Sequence, residues 1–188
     1  MPNLVPTIPS LPAKLTAAAL RASGVTPFEI DLALEDSLAQ RFGVRLVEKG
    51  LRQTGEPAMR VVRLKSSSTH DIEAAWRWLQ GAMEPASEAE IERTLAVVSQ
   101  LVARGRGGDD EAADLQLEAY VAKLRRYPAD IALAVLNRWP DTERFWPTWS
   151  EIKARLDRLT WRRRQMLEAL ETERPENPAR ELARSAAP

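Results

Sequence analysis

Cysteine is absent from the 188 residues, and histidine occurs once, at His70. The first absence removes disulfides, thiolate nucleophiles and the usual structural zinc sites. The second removes paired-histidine metal motifs such as HExxH and any triad built on a histidine base. No apolar run reaches the roughly 18–20 residues of a membrane span, and the N-terminus MPNLVPTIPSLP has neither a positively charged start nor an apolar signal core. A cytoplasmic protein is the expectation. No GxxxxGK[ST] loop occurs. The glycine-bearing stretch ARGRGGDD (103–110) lacks the order needed to cradle phosphates and reads as a connection. Net charge is missing too, because 27 basic and 27 acidic side chains cancel, so any nucleic-acid binding has to come from a local patch.

What is present is helical periodicity. Pro2, Pro6, Pro9 and Pro12 exclude regular helix and predict an extended, flexible arm over residues 1–12. An N-terminal helical region follows over 13–85. In it Thr26, Pro27 and Glu29 form a helix start of the TxxE type, and SSSTHDIEAAWRWLQGAM repeats Ile72, Ala75, Trp76, Leu79 and Met83 at helical spacing. His70 falls at that start, where capping or solvation accounts for it. VRLV and MRVVRLK flank a turn with glycine and proline. They read as a short hairpin, with a continued helix and linker as the other reading.

Residues 86–172 predict a compact antiparallel helical bundle, so the fold class is mainly α. Ile91, Leu95, Val98 and Val102 form one apolar stripe; Leu117, Tyr120, Val121 and Leu124 form a second. A third helix starts at Pro128, carries Ile131, Val135 and Leu136, and is expected to end at Trp139, before Pro140. Thr148 and Glu151 form a second TxxE box, with Pro147 before the cap and Ile152 at the fourth helical position. Pro147 forces Trp146 into an extended conformation, so Phe145 and Trp146 should point in opposite directions. Phe145 and Trp149 are expected in the core. The tail 173–188 lacks an apolar stripe and is expected to be disordered.

Charge is polarised along the chain. Between residues 153 and 164, Lys153, Arg155, Arg158, Arg162, Arg163 and Arg164 stand against Asp157 alone, whereas Glu84 to Glu118 is acidic. A basic helix beside Trp146 and Trp161 suits phosphates and an unpaired base, or an acidic protein surface; the plainer reading is a solvated helix face. Asp109, Asp110 and Asp114 could hold a hard cation, but acids at a loop-to-helix boundary already favour the helix dipole. No cofactor or metal is expected.

The run LEAYVAKLRRYPADIALAVLNRWPDTERFWPTWSEIKARL resembles the small helical proteins of phages and prophages that load or inhibit the replicative DNA helicase. Phe145, Trp146, Pro147, Thr148, Glu151 and Ile152 fall on the family's turn into its last helix, and the resemblance spans about residues 88–160. It implies a non-enzymatic role in phage-type DNA replication, with the hexameric replicative helicase as partner. The contact residues expected for partner or DNA are Trp146, Lys153, Arg155, Arg158, Trp161, Arg162, Arg163 and Arg164. The competing expectation is a DNA-binding regulator that uses the 153–164 helix.

Overall fold

The computed structural model describes residues 11–22, 24–51, 57–63, 68–103 and 110–174. Over them the chain runs α1 (Ala17–Ala22), α2 (Pro27–Phe42), β1 (Val44–Leu51), β2 (Pro57–Arg63), α3 (Thr69–Gln80), a 3-10 turn (Gly81–Met83), α4 (Glu88–Leu101), α5 (Asp110–Leu124), α6 (Ala129–Thr142) and α7 (Trp149–Glu173). The fold is mainly α, with one two-stranded antiparallel sheet. The hairpin expectation therefore holds.

Three of the helices start with the same reciprocal pair, a hydroxyl and a carboxylate three residues apart. At α3 the Ser68 hydroxyl accepts the Asp71 N–H at 3.3 Å and the Asp71 carboxylate accepts the Ser68 N–H. Ser87 and Glu90 do the same at α4, at 3.3 and 3.0 Å. Thr148 and Glu151 do so at α7, at 3.4 and 2.8 Å. Each pair satisfies two amides that a helix start otherwise leaves without a partner. The start of α6 has no side-chain cap. There the Ala129 N–H donates to the Glu84 carbonyl at 2.9 Å, while the Glu84 carboxylate accepts the Ala17 N–H of α1 at 3.1 Å.

Packing separates two compact units: residues 11–15, 28–82 and 162–174 form the first, and Thr16–Pro27 with Met83–Trp161 form the second. The core of the second gathers Ile91, Leu95 and Val98 from α4, Tyr120, Val121 and Leu124 from α5, Ile131, Val135, Leu136 and Trp139 from α6, and Ile152 and Leu156 from α7. Full burial of each such aliphatic side chain contributes about 1.5–3 kcal/mol. Helix α6 runs past the stop expected at Trp139 and carries Pro140 inside it. The turn survives because the Glu143 N–H reaches the Trp139 carbonyl at 2.9 Å and the Thr142 hydroxyl reaches it at 3.3 Å.

In the first unit, Ile30, Ala33, Leu34 and Leu38 of α2 bury one face, and Ile72, Ala75 and Leu79 of α3 bury another. Trp78, rather than Trp76, is the core tryptophan of α3. It is 7% exposed, and its indole N–H donates to the Pro12 carbonyl at 3.3 Å. Trp76 is half-buried under the Arg174 guanidinium, 3.9 Å from its ring. Leu11 is buried and the Pro12 carbonyl holds Trp78, so the last two positions of the expected arm are part of the fold; residues 1–10 lie outside the described residues, as do 175–188 of the expected tail.

The last helix departs from the single bundle read from the sequence. Its residues up to Trp161 pack with the second unit and those from Arg162 with the first. The reason is an acidic pair one turn apart on α2. Glu35 takes Arg162 in a two-bond fork at 2.5 and 2.8 Å, and Asp31 takes Arg163 at 2.6 Å.

Candidate functional site

The turn into α7 is built by a long-range backbone clamp. The Ala103 N–H donates to the Arg144 carbonyl at 2.9 Å, and the Trp146 N–H donates to the Ala103 carbonyl at 3.0 Å, forming a parallel bridge between Ala103 and Phe145. A residue in extended backbone alternates with its neighbours in direction. The alternation between Phe145 and Trp146 is as expected, but the side of each is not. Phe145 is 63% exposed, which corrects its assignment to the core, and Trp146 is the ring that packs inward. Bridged residues of a parallel pair face the same way, so exposed Ala103 lies beside exposed Phe145.

Beneath the turn, Tyr120 donates its hydroxyl to the Pro147 carbonyl at 2.7 Å. Its ring meets Trp146 at 6.0 Å and Trp149 edge-on at 5.8 Å. Burial pushes the Tyr120 phenol above its ordinary pKa. The Trp139 indole N–H donates to the Phe145 carbonyl at 2.9 Å, fixing the backbone whose side chain faces out. The second aromatic of the turn is therefore structural, and Phe145 is what the turn presents.

Most of the expected basic face is engaged within the chain. Lys153 pairs with Asp157. Arg155 lies 4.3 Å from the centre of the Trp139 ring, pairs with Glu143 and donates to the Thr142 hydroxyl at 3.1 Å. Arg162 is held by Glu35. Arg163 corrects the expectation most sharply: it is fully buried, bound to Asp31 and to the Ala82 carbonyl at 2.9 Å, and touches no solvent-borne partner. Trp161 is half-buried, whereas Arg158 and Arg164 are exposed. The structure thus does not assemble the eight residues into one open surface. Sequence reasoning saw the arginines as a run along one helix, and the acidic partners of Arg162 and Arg163 lie more than a hundred residues upstream.

What sequence reasoning missed is apolar. Of the large hydrophobic side chains that stay exposed, Val97 and Leu101 lie one turn apart on α4, and Phe145 follows across the bridge at Ala103. Backbone direction reverses at this helix end in the pattern out, in, out: Leu101 is 65% exposed, Val102 is 7% exposed and Ala103 is exposed. Arg93, one turn before Val97, and Arg144, whose guanidinium stands 5.9 Å from the Phe145 ring, flank the apolar residues. The only sequence signal for this surface was the out-of-stripe position of Val97 and Leu101.

No group of three histidine, cysteine, aspartate or glutamate residues with metal-holding geometry occurs among the described residues. Asp114 is exposed, and Asp109 lies outside the described residues. No helix among the described residues is long and apolar enough to cross a membrane. Comparison of the chain with protein-family models, curated proteins and solved structures finds no match.

Proposed function

We propose that the chain is a non-enzymatic, phage-type DNA replication protein that binds the replicative helicase and controls its loading onto DNA. The observation that carries this reading is the exposure of Val97 and Leu101 on α4 and of Phe145 on the turn into α7, all within the span of the family resemblance. Large apolar side chains left exposed favour a protein partner, and aromatic and arginine side chains are enriched in such interfaces. The engagement of Lys153, Arg155, Arg162 and Arg163 within the chain weakens the competing reading, a regulator that grips DNA with the 153–164 helix.

A binding protein of this kind acts by differential affinity. It holds one state of the helicase ring, open or closed to single-stranded DNA, more tightly than the other. In size-exclusion chromatography with the host's hexameric helicase at micromolar concentrations, the wild-type chain is expected to co-elute with the hexamer. Phe145→Ala removes an exposed ring at little cost to folding, and its loss as an anchor of about 2 kcal/mol weakens the complex about thirtyfold. Failure of the wild-type chain to form a complex, or full-strength binding by Phe145→Ala and Leu101→Ala alike, would overturn the reading.

A further inference from the structure

A second interaction surface lies on the hairpin of the first unit. In an antiparallel pair, residues directly opposite share a face. The register sets Val44 against Arg63 and Leu46 against Val61 on one face, with Met59 on the same side, and Arg45 against Val62 and Val47 against Arg60 on the other. Val44 is fully buried, and Leu46, Val61 and Met59 are half-buried, so the first face is turned to the unit's interior, where β1 packs on α3. The second face turns outward. Arg45 and Arg60 on it are exposed, with the half-buried Val47 and Val62 between them, and neither arginine has an acidic partner among the described residues.

This contrasts with the arginines of α7, most of which are neutralised within the chain. It also contrasts with Arg63 at the base of the same hairpin, which pairs with Glu173 at 3.6 Å. The stretch 44–65 as a whole is the chain's other basic segment: Arg45, Lys49, Arg52, Arg60, Arg63 and Lys65 stand against Glu48 and Glu56, an excess of four positive charges. Arg45 and Arg60 are diagonal neighbours across the ladder, about 7–8 Å apart at the backbone.

We infer that this outward face of the hairpin binds the backbone of double-stranded DNA. Charge complementarity names the phosphates, and the shape favours the duplex. A two-stranded ribbon is an element that the major groove of B-form DNA admits, whereas single strands are held by exposed aromatic rings on which bases stack. The hairpin face carries no aromatic residue. Contacts to phosphates give affinity without sequence preference, so binding is expected to be independent of sequence and steeply weakened by salt.

The test is fluorescence anisotropy of the full chain with a labelled duplex and with its separated single strand, at rising salt. The wild-type chain is expected to bind the duplex more tightly. The double reversal Arg45→Glu with Arg60→Glu should lose binding at low salt, while the neutral pair Arg45→Gln with Arg60→Gln should bind weakly with a flatter salt dependence. Two phosphate contacts, at a slope of about 0.9 each, correspond to about a tenfold difference in salt sensitivity between about 50 and about 200 mM. Both arginines are exposed, so circular dichroism should show unchanged helix content in each variant. Arg158→Glu with Arg164→Glu should leave DNA binding unchanged, and helicase co-elution should persist in the hairpin variants, which separates this surface from the one at Phe145. Tighter binding of the single strand, equal binding by the glutamine pair and wild type, loss in the Arg158 and Arg164 variant instead, or absence of binding at low salt would each overturn the inference.

Discussion

Asp31→Ala is expected to lower the unfolding free energy by about 3–5 kcal/mol, read as a drop in the urea midpoint, because it leaves a buried guanidinium without its counter-charge. Arg163 has no exposed surface, and the Asp31 side chain is 5% exposed. With the carboxylate gone, the charge loses its Asp31 counter-ion and keeps the neutral Ala82 carbonyl. Water cannot reach it to compensate, and arginine does not release its proton in this setting. The pair's net worth is a separate quantity. Asp31→Leu combined with Arg163→Met should recover most of the loss, since well-packed apolar side chains replace a buried pair at little cost. The exposed pair of Arg125 and Glu88, whose side chains are 54% and 61% exposed, is expected to contribute about 0.2–1 kcal/mol at most. A shift for Asp31→Ala no larger than that range would show that the guanidinium finds solvent, against the burial described above.

The second large effect is steric. Gly81→Ala is expected to cost about 3 kcal/mol, roughly 6–12 °C in Tm for a chain of this size. Gly81 closes α3 with φ −60° and ψ −26°, angles that any residue adopts, so no backbone strain requires glycine there. The constraint is proximity: a Cβ at Gly81 would sit 2.1 Å from the Leu15 carbonyl oxygen and 2.8 Å from its carbonyl carbon. These are backbone atoms of a buried residue, which cannot rotate aside as the tip of a side chain could. Leu15 would have to move, and with it the Pro12 carbonyl that accepts the Trp78 indole N–H. A melting curve unchanged from wild type would show that this strand of chain is not seated where the close approach places it.

Helix starts were legible because their chemistry is local. Threonine followed three residues later by an acid names Thr148 as a cap from the residues alone, the structure adds Ser68 and Ser87 by the same rule, and the stripe Ile91, Leu95, Val98, Val102 names the buried face of α4. Alternation in the hairpin was equally local. Illegible features depend on partners distant in the chain. Nothing near Phe145 and Trp146 says which ring faces in; Ala103, some forty residues earlier, decides it through two backbone hydrogen bonds. Three consecutive arginines read as a solvated run until Glu35 on α2 pairs with Arg162 and Asp31 takes Arg163 out of solvent. Trp76 sits within the apolar stripe of α3, yet Trp78 has the deeper position because Pro12 and Phe42 close over it. Arg45 and Arg60 of the hairpin, which have no acidic partner among the described residues, escaped notice for the opposite reason. Their freedom is a property of the folded register, and a charge count over a helix could not reveal it.

The reuse of one capping device has a consequence for acid. Asp71, Glu90 and Glu151 are each held below the ordinary carboxylate pKa, first by hydrogen bonds from the Ser68, Ser87 and Thr148 groups they cap. A carboxylate whose folded pKa is depressed adds stability above its unfolded pKa and loses it as pH falls through the folded one. Three helices thus share a single proton-sensitive latch. On acidification the first turn of each loosens below the usual carboxylate range.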